Sequence, residues 1–339
     1  MALGFGLLSA QIDPGAPPDW ERAYDETLRL AVHAETAGYD SVWTTEHHFI
    51  DDGYMPSLLV TMAAMAARTS TIALGSGVVL APLHHPLRLA EDAATVQLIS
   101  KGRLVLGLGL GWVESEFAAL GAEIAGRGRA MDEILDILPK AWSGEPFEHH
   151  GRQYDVPLVG VRPTPQARIP ILIGGSAEAA IRRAARKSDG LFANAPAAKF
   201  RQQVDWATDE LESIGRDPAT FDWYHYSILY PAADEDTGWD EIGEHLWHLS
   251  WKYTDMEAST RRQGPPPAAP PPGEATRSRL IARAVTVGSS QQIVDTLNEI
   301  RESAGVPVRF VARSYFPTLG YERQVEVMDR LAEEVAPLV

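Results

Sequence analysis

A carboxylate and two imidazoles stand together at Glu46, His47 and His48, directly after an apolar run. The run from Ser41 to Thr45 carries the β-branched and aromatic residues that suit a buried strand. In an α/β protein with parallel strands, side chains at the carboxyl end of a strand point into the mouth where ligands bind. Because histidine exchanges a proton near neutral pH, we predict that this segment is the first place to look for catalytic chemistry. The alternative is that the histidine pair merely begins a polar loop.

Glycines occur at the ends of three other predicted strands, in Gly75-Ser76-Gly77, in Gly107-Leu108-Gly109-Leu110-Gly111 and in Gly174-Gly175-Ser176. Bare backbone at a strand end lets a flat or bulky group approach closely. The third group opens a helix, and its free amides suit a phosphate. The second group is not a dinucleotide fingerprint, because Trp112 stands where the last glycine is required. A tight turn is the alternative for any one group, but three groups at strand ends favour a cofactor.

The composition limits the class of partner. The chain has 30 basic and 46 acidic residues, a net charge of −16, which argues against nucleic acid or an anionic membrane. The absence of cysteine excludes disulfides, a thiolate nucleophile and a thiolate metal site. The apolar stretch from Ala2 to Ala10 is short and follows no basic residue, so we interpret it as a strand rather than a signal peptide. We predict a cytoplasmic protein with a small-molecule substrate, no membrane span and no metal.

The rest of the chain alternates between predicted strands and helices. Eight strands are predicted at residues 2–9, 41–45, 71–80, 103–106, 169–173, 190–193, 221–230 and 306–312. Eight successive strand–helix units most simply close into a (β/α)8 TIM barrel, an α/β fold, with a doubly wound sheet as the alternative.

We predict one domain over residues 1–339, with insertions at about residues 143–168 and 232–275. The second insertion precedes the seventh helix. Its prolines between Gly264 and Gly273 predict a mobile loop. Such a loop is a lid if it folds over the barrel mouth, and otherwise a linker or a contact surface.

Four segments of the sequence resemble luciferase-like flavin-dependent monooxygenases, the family of bacterial luciferase. They are residues 35–49, which end in Glu-His-His-Phe, residues 73–92, residues 100–117, and Pro-Thr-Pro-Gln at 163–166 before Ile-Pro-Ile-Leu-Ile-Gly-Gly-Ser. The resemblance covers most of residues 1–195 and, more weakly, residues 285–339. Together these motifs are specific for the family, though not for a substrate.

The resemblance implies a bacterial luciferase-like barrel with reduced flavin at its carboxyl mouth. It places the family's catalytic histidine at His47, beside Glu46. It implies a bulge or non-prolyl cis peptide behind the flavin ring at Gly77-Val78, with Ser76 and Gly109 also near the cofactor. The flavin phosphate site falls at Gly174, Gly175 and Ser176, and a second mouth histidine falls at His85. Three further residues at strand ends are candidates for the pocket wall: Asn194, Arg313 and Tyr315.

The activity that the resemblance implies is that of an FMNH2-dependent, two-component monooxygenase. Reduced FMN from a separate flavin reductase would react with O2 to give a flavin hydroperoxide, and His47 would act as general acid or base during oxidation of a small organic substrate. Bacterial luciferase has a phosphate-binding arginine where this chain has Leu110, so Arg313 is a candidate replacement. The family also implies a homodimer through the helices near the second and third strands.

Three other functions remain open. The departure at Leu110 leaves room for the related users of the deazaflavin coenzyme F420, in which His47 would assist a hydride transfer. The chain could instead be a catalytically silent flavin-binding protein. A barrel lyase or hydrolase without flavin, using His47 and Glu46 on a sugar phosphate, is the remaining alternative.

Overall fold

Eight parallel strands close into a barrel in the computed structural model, which describes residues 3–14, 17–273, 276–281 and 284–339. The barrel strands, numbered in chain order, are β1 (Leu3–Leu8), β2 (Ser41–Thr44), β3 (Ala73–Ser76), β4 (Leu104–Gly109), β5 (Ile171–Gly174), β6 (Gly190–Ala193), β7 (Asp222–Pro231) and β8 (Val308–Arg313). Each pairs with the next, and β8 pairs with β1, which completes the cylinder. The predicted (β/α)8 barrel is confirmed. Ala2, the predicted start of the first strand, lies outside the described residues.

The helices of the described residues are α1 (Trp20–Thr36), α2 (Leu58–Arg68), α3 (Pro86–Ser100), α4 (Glu114–Ala119), α5 (Arg127–Trp142), α6 (Glu178–Lys187), α7 (Ala197–Ser213), α8 (Glu235–Ser259), α9 (Thr276–Ile281), α10 (Ser290–Ala304) and α11 (Tyr321–Arg330). Their starts follow the sequence closely. Asp19 caps α1 by accepting a hydrogen bond from the backbone N–H of Arg22, as predicted. None of the helices in the described part of the chain combines the length and apolar composition needed to cross a membrane.

Aromatic rings fill the inside of the barrel below its mouth. Trp43 is fully buried and stacks on Phe192 with 4.6 Å between ring centroids, and Phe192 stacks in turn on Tyr226 at 4.7 Å. Gly75 of β3 makes room for this layer, because a Cβ atom there would lie 2.3 Å from the indole of Trp43. The glycine at position 75 therefore serves the barrel core, and the layer forms a closed base under any ligand at the mouth.

The third predicted strand, at residues 71–80, is interrupted. Residues Ala73–Ser76 form β3, and a separate two-residue strand, Val79–Leu80, pairs with the end of β4. Between them the Gly77–Val78 peptide bond is cis, the feature that the family resemblance places there. The interruption turns the side chain of Val78 towards the barrel mouth, where it lines a cavity.

The two predicted insertions contain regular structure. The first includes an antiparallel hairpin, Phe147–His150 with Asp155–Val159. In the second, α8 occupies residues 235–259 and was not predicted; residues 260–273, which include the predicted loop between Gly264 and Gly273, have no helix or strand, and residues 274 and 275 lie outside the described part. Another strand, Val285–Gly288, was not predicted and pairs with the end of β7.

The helix α8 was missed because its large aromatic residues obscure an apolar stripe of helical period. The stripe faces the barrel and consists of Ile242, Leu246, Leu249 and Met256. Met256 packs with Ile50, Tyr54 and Val113 above the carboxyl ends of the strands. The insertion therefore covers part of the mouth, which is the lid alternative of the sequence analysis.

Buried charges attach α8 to the loop that follows His48. Lys252 is 1% exposed and its Nζ forms an ion pair with Asp51, with Asp52 at 3.5 Å and Asp255 at 3.6 Å. Arg262 pairs with Asp51 and, at 2.6 Å, with Asp255. Three carboxylates are thus balanced by two cations at a site largely shielded from water, so the loss of one cation leaves buried negative charge uncompensated.

We expect Lys252→Met, which retains most of the side-chain volume, to lower the free energy of unfolding by about 3–5 kcal/mol. Urea denaturation followed by circular dichroism measures this change. The control is Arg261→Met, because Arg261 pairs with Glu257 at the surface and surface pairs contribute about 0–1 kcal/mol. Equal losses in the two variants would show that the buried charges do not stabilise the position of α8.

Candidate active site

A cavity of about 580 Å³ lies at the carboxyl ends of the barrel strands. Its volume is within the range of ligand-binding cavities. Most of the residues predicted from the sequence line it together: Glu46, His47, Gly77, Val78, Gly109, Gly174, Gly175 and Ser176, with Asn194 and Arg313.

Three predicted residues do not line this cavity. The Ser76 hydroxyl is buried between β3 and β4, where it accepts a hydrogen bond from the N–H of Gly107 and donates one to its carbonyl. His85 is exposed and caps α3 by accepting a hydrogen bond from the N–H of Leu87. Tyr315 lines a separate groove beside α1. His84, the neighbour of His85, instead contacts Glu46, with its Nε2 2.9 Å from Oε1 of that carboxylate. A helical turn at Ala81–Leu83 precedes the two histidines.

The ring of His47 is held by a carboxylate that the sequence analysis missed. Its Nδ1 lies 3.0 Å from Oε1 of Glu116, which also accepts a hydrogen bond of 2.7 Å from the N–H of His48. Glu116 is completely buried and lies on α4, just after the glycines of β4. Because Nδ1 is engaged, Nε2 is the ring nitrogen left for a ligand. The only feature of the sequence that could have indicated Glu116 is its position shortly after a strand end, which it shares with His47.

Glu46 holds the backbone of the mouth rather than the ring of His47. Its Oε1 accepts hydrogen bonds from Nε2 of His84 at 2.9 Å and from Nε2 of His48 at 3.2 Å. Its Oε2 accepts one of 2.6 Å from the N–H of Leu80. The carboxylate thereby ties the end of β2 to the segment that follows Val78.

The charges of this cluster are mutually stabilised. Burial alone would raise the pKa of Glu46, but the hydrogen bonds from His48 and His84 outweigh it and lower the pKa to about 2. Burial would lower the pKa of His84, but the hydrogen bond and charge of Glu46 raise it. Within the described residues these three side chains have metal-like spacing, with ligand atoms within 4.8 Å. The two imidazole N–H groups already satisfy the carboxylate, so Glu46 remains ionised at neutral pH and is unsuited to donate a proton.

The glycines of β4 and β5 make room for the side chain of Val78. A Cβ atom at Gly109 would lie 2.4 Å from Cγ2 of Val78, and one at Gly174 would lie 2.8 Å from its Cγ1. Val78 is half-buried and forms an apolar surface inside the cavity. The glycines at these strand ends therefore accommodate Val78. Its side chain fills the space in which we had expected a cofactor to approach the backbone directly.

Another part of the cavity wall offers donors to an anion. Gly174, Gly175 and Ser176 precede α6, and Arg127 of α5 lines the same cavity. One guanidinium nitrogen of Arg127 donates to the carbonyl of Ile124, while its Nε is buried without a hydrogen-bond partner among the described residues. A cation with an unused donor beside backbone amides is suited to a phosphate. Arg127 was missed because an arginine at the start of a helix has no distinguishing pattern.

Tyrosines close the side of the cavity nearest His47. The ring of His47 lies edge-to-face against Tyr54 at 4.9 Å and Tyr253 at 5.9 Å. The two tyrosine hydroxyls are 3.1 Å apart, and Arg313 donates a hydrogen bond of 2.8 Å to that of Tyr253. Burial raises the pKa of Tyr54, so its hydroxyl stays protonated. Since Tyr253 comes from α8, that helix helps to exclude water from the imidazole.

Residues 3–307 match the family model described as luciferase-like monooxygenase. The chain belongs to this family. It is 31% identical over 147 residues to the oxygenase component of flavin-dependent trigonelline monooxygenase from Acinetobacter baylyi, an alignment that covers 43% of this chain and 41% of the relative. It is 33% identical over 173 residues to an F420-dependent glucose-6-phosphate dehydrogenase from Microbacterium testaceum, covering 49% of this chain and 51% of the relative.

The fold comparison extends over the whole chain. The crystal structure of the monooxygenase RslO1 from Streptomyces bottropensis superposes with a TM-score of 0.84 at 23% identity, covering 99% of each chain. The family recognised from the motifs, the enzyme class and the luciferase-like barrel are therefore confirmed. The curated relatives are matched over only about half of their lengths, and they include users of both kinds of cofactor.

We expect Glu46→Gln to change how stability depends on pH. The pKa of Glu46 is lower in the folded chain than its ordinary value of 4.5, so its stabilisation is present above that pH and is lost as the pH falls towards 2. Near pH 6 the free energy of unfolding of the variant should be about 3 kcal/mol lower than that of the parent. This difference between the two proteins should become smaller as the pH is lowered. Urea titrations at a series of pH values measure it. The exposed Glu302→Gln of α10 is the control, and a deficit independent of pH would contradict the assignment.

Proposed function

We propose that this protein is an FMNH2-dependent monooxygenase of the two-component type, which oxidises a small organic substrate with O2. The proposal is carried by one cavity that is lined both by His47, which pairs with Glu116, and by the anion-binding group of Gly174–Ser176 and Arg127. The unpartnered Nε of Arg127 is the observation that fits the phosphate of FMN. Arg127 would thus take the place of the phosphate-binding arginine of bacterial luciferase, whose position is occupied by Leu110 in this chain.

Arg313 is the less suitable candidate for the phosphate. It lies on β8, three strands around the barrel from β5 and its glycines. The amides of Gly175 and Ser176, together with Arg127, would hold the phosphate, and Val78 would contact the flavin ring. Bound reduced FMN supplies the electrons with which O2 is activated and one oxygen atom is transferred to the substrate.

The residues of the chain have separate tasks in this proposal. With its Nδ1–H donated to Glu116, His47 presents Nε2 to the cavity and accepts or returns a proton there. Glu116 fixes the tautomer and the orientation of the ring, as a carboxylate behind an imidazole does in other enzymes. Glu46 stays ionised and holds Leu80 and His84, while α8 and its Tyr253 limit the entry of water.

An F420-dependent hydride transfer is the second candidate. It is favoured by the similarity to the F420-dependent dehydrogenase, and the same imidazole would assist it. We prefer FMN because the Glu-His-His-Phe motif resembles the FMN-using branch. An imidazole with a buried carboxylate partner argues against a catalytically silent protein.

The partners follow from the proposed reaction. A separate flavin reductase is proposed because the relative from Acinetobacter baylyi is named the oxygenase component of its monooxygenase. A homodimer through α2 and α3 stays a prediction; Val60 and Ile99 on these helices are 73% and 43% exposed. The cytoplasmic location and the single domain over residues 1–339 also stay predictions.

Reduced FMN is expected to bind at least tenfold more tightly than reduced F420 in anaerobic equilibrium titrations. Arg127→Gln should weaken FMN binding about tenfold or more, because a charged hydrogen bond to the phosphate contributes about 1.5–3 kcal/mol. Riboflavin, which lacks the phosphate, should bind the parent and the variant equally. Arg129→Gln, on the exposed face of the same helix, is the matched control. Tighter binding of F420 would replace the cofactor assignment.

His47→Asn should lower the rate of substrate oxidation about 100-fold, since general acid–base catalysis typically contributes 10²–10⁴. Glu116→Gln should lower it at least tenfold, because the imidazole loses its charged partner. The rates are measured as product formed with a flavin reductase, FMN and O2, using a substrate found by screening small organic compounds for coupled oxygen uptake.

Glu114→Gln provides the control for the carboxylate, because Glu114 lies exposed on the same helix as Glu116. It should retain the parent rate. Full activity in both His47→Asn and Glu116→Gln would remove this pair from the mechanism.

A further inference from the structure

A second cavity of about 370 Å³ adjoins the first one beneath α8. Asn194, Tyr253 and Arg313 line both cavities and form the boundary between them. Most of the remaining wall is aliphatic and consists of Ile228, Leu246, Leu249, Leu280 and Val285. We call this second cavity the aliphatic chamber. Its volume lies at the lower end of the range for ligand sites, so it suits one small molecule with an apolar body.

The charged residues of the aliphatic chamber are both cations. Arg313 lies at the boundary with the first cavity and Lys199 at the exposed rim, and no carboxylate is among the described residues that line the chamber. This is unexpected in a chain whose net charge is −16. The local charge therefore selects for an anionic ligand and against a cationic one.

Arg313 is half-buried and has aromatic partners where such a cation usually has an acidic one. Its guanidinium donates to the hydroxyl of Tyr253 and lies 5.1 Å from the centre of that ring. Tyr54 and Tyr226, which also interact with it, are neutral as phenols. A partly desolvated cation without a carboxylate partner is unfavourable in free energy, and a bound carboxylate would offset that cost.

The chamber is lined from the later strands of the barrel. Val78 follows β3 and the phosphate group follows β5, whereas Asn194, Ile228 and Arg313 belong to β6, β7 and β8 or to the residues just after them. The proposed cofactor contacts do not line the chamber, so a cofactor held by them does not need its space. The boundary at Tyr253 and Arg313 is where a molecule in the chamber would meet that cofactor.

We infer that the aliphatic chamber binds the substrate, and that the substrate is a small organic acid whose carboxylate pairs with Arg313 while its apolar body contacts Leu246 and Leu249. This inference rests on the proposed function, because it assigns the first cavity to the cofactor. It adds a substrate class that the family resemblance does not supply. Neutral and cationic compounds of the same shape should bind less well.

The test measures binding of octanoate and octanamide, which differ mainly in charge, to the full chain by isothermal titration calorimetry. Octanoate should bind at least tenfold more tightly than octanamide, with or without saturating FMN. Arg313→Gln should abolish this preference and Arg313→Lys should retain much of it. Arg309→Gln, on the same strand but exposed, should behave as the parent. Leu249→Trp, which fills the chamber, should weaken both ligands at least tenfold and leave FMN binding unchanged.

Three results would overturn the inference: equal binding of octanoate and octanamide to the parent, an unchanged preference in Arg313→Gln, or displacement of octanoate by FMN. The last would assign the chamber to the cofactor. The proposed function is tested separately by the FMN titration. A chain that binds octanoate through Arg313 but does not bind FMN would refute the proposed function and leave the acid-binding site in place.

Discussion

The mouth of this barrel depends on one buried carboxylate. Glu46 accepts hydrogen bonds from two imidazoles and from the backbone of Leu80, and it thereby connects the ends of two neighbouring strands. Because Leu80 follows the Gly77–Val78 interruption, the same carboxylate fixes the apolar surface that Val78 presents to the cavity. His47 comes directly after Glu46, so the position of its ring relative to that surface is set over a distance of one residue. The pKa of Glu46, about 2, keeps this arrangement charged and intact throughout the neutral range.

Much of the fold was predictable because barrel strands are short, apolar and separated by helices. The eight strands, the Asp19 cap and the helix at Pro86 all followed from local pattern, and the family motifs located His47 and the glycines. The family resemblance also placed the interruption of the third strand at Gly77-Val78. The pattern of the strand itself did not show this interruption, because it depends on space left by glycines on other strands. The helix α8 was missed for a similar reason, because its apolar stripe has meaning only once a surface exists for it to cover.

The site was predicted where its residues are local in sequence and missed where they meet across the fold. Glu116 contacts His47 from 69 positions away, and Arg127 reaches the glycines after β5 from a different helix. Neither residue has a distinctive neighbour in the sequence. His85 was predicted at the mouth, whereas it is His84 that contacts Glu46. A difference of one residue in a turn therefore decides which imidazole reaches that carboxylate. The sequence therefore identified the candidate residues, and the topology brings in the groups that orient them.

The ion cluster around Lys252 couples the cover of the active site to its chemistry. Its carboxylates Asp51 and Asp52 lie only a few positions after His47, while the cation belongs to α8, which also carries Tyr253. Buried ion pairs consequently hold α8 against the loop that follows His48. Movement of α8 away from the mouth must therefore either break these buried ion pairs or displace the loop together with the helix. Under the proposed function, the site would then be complete only while α8 covers it.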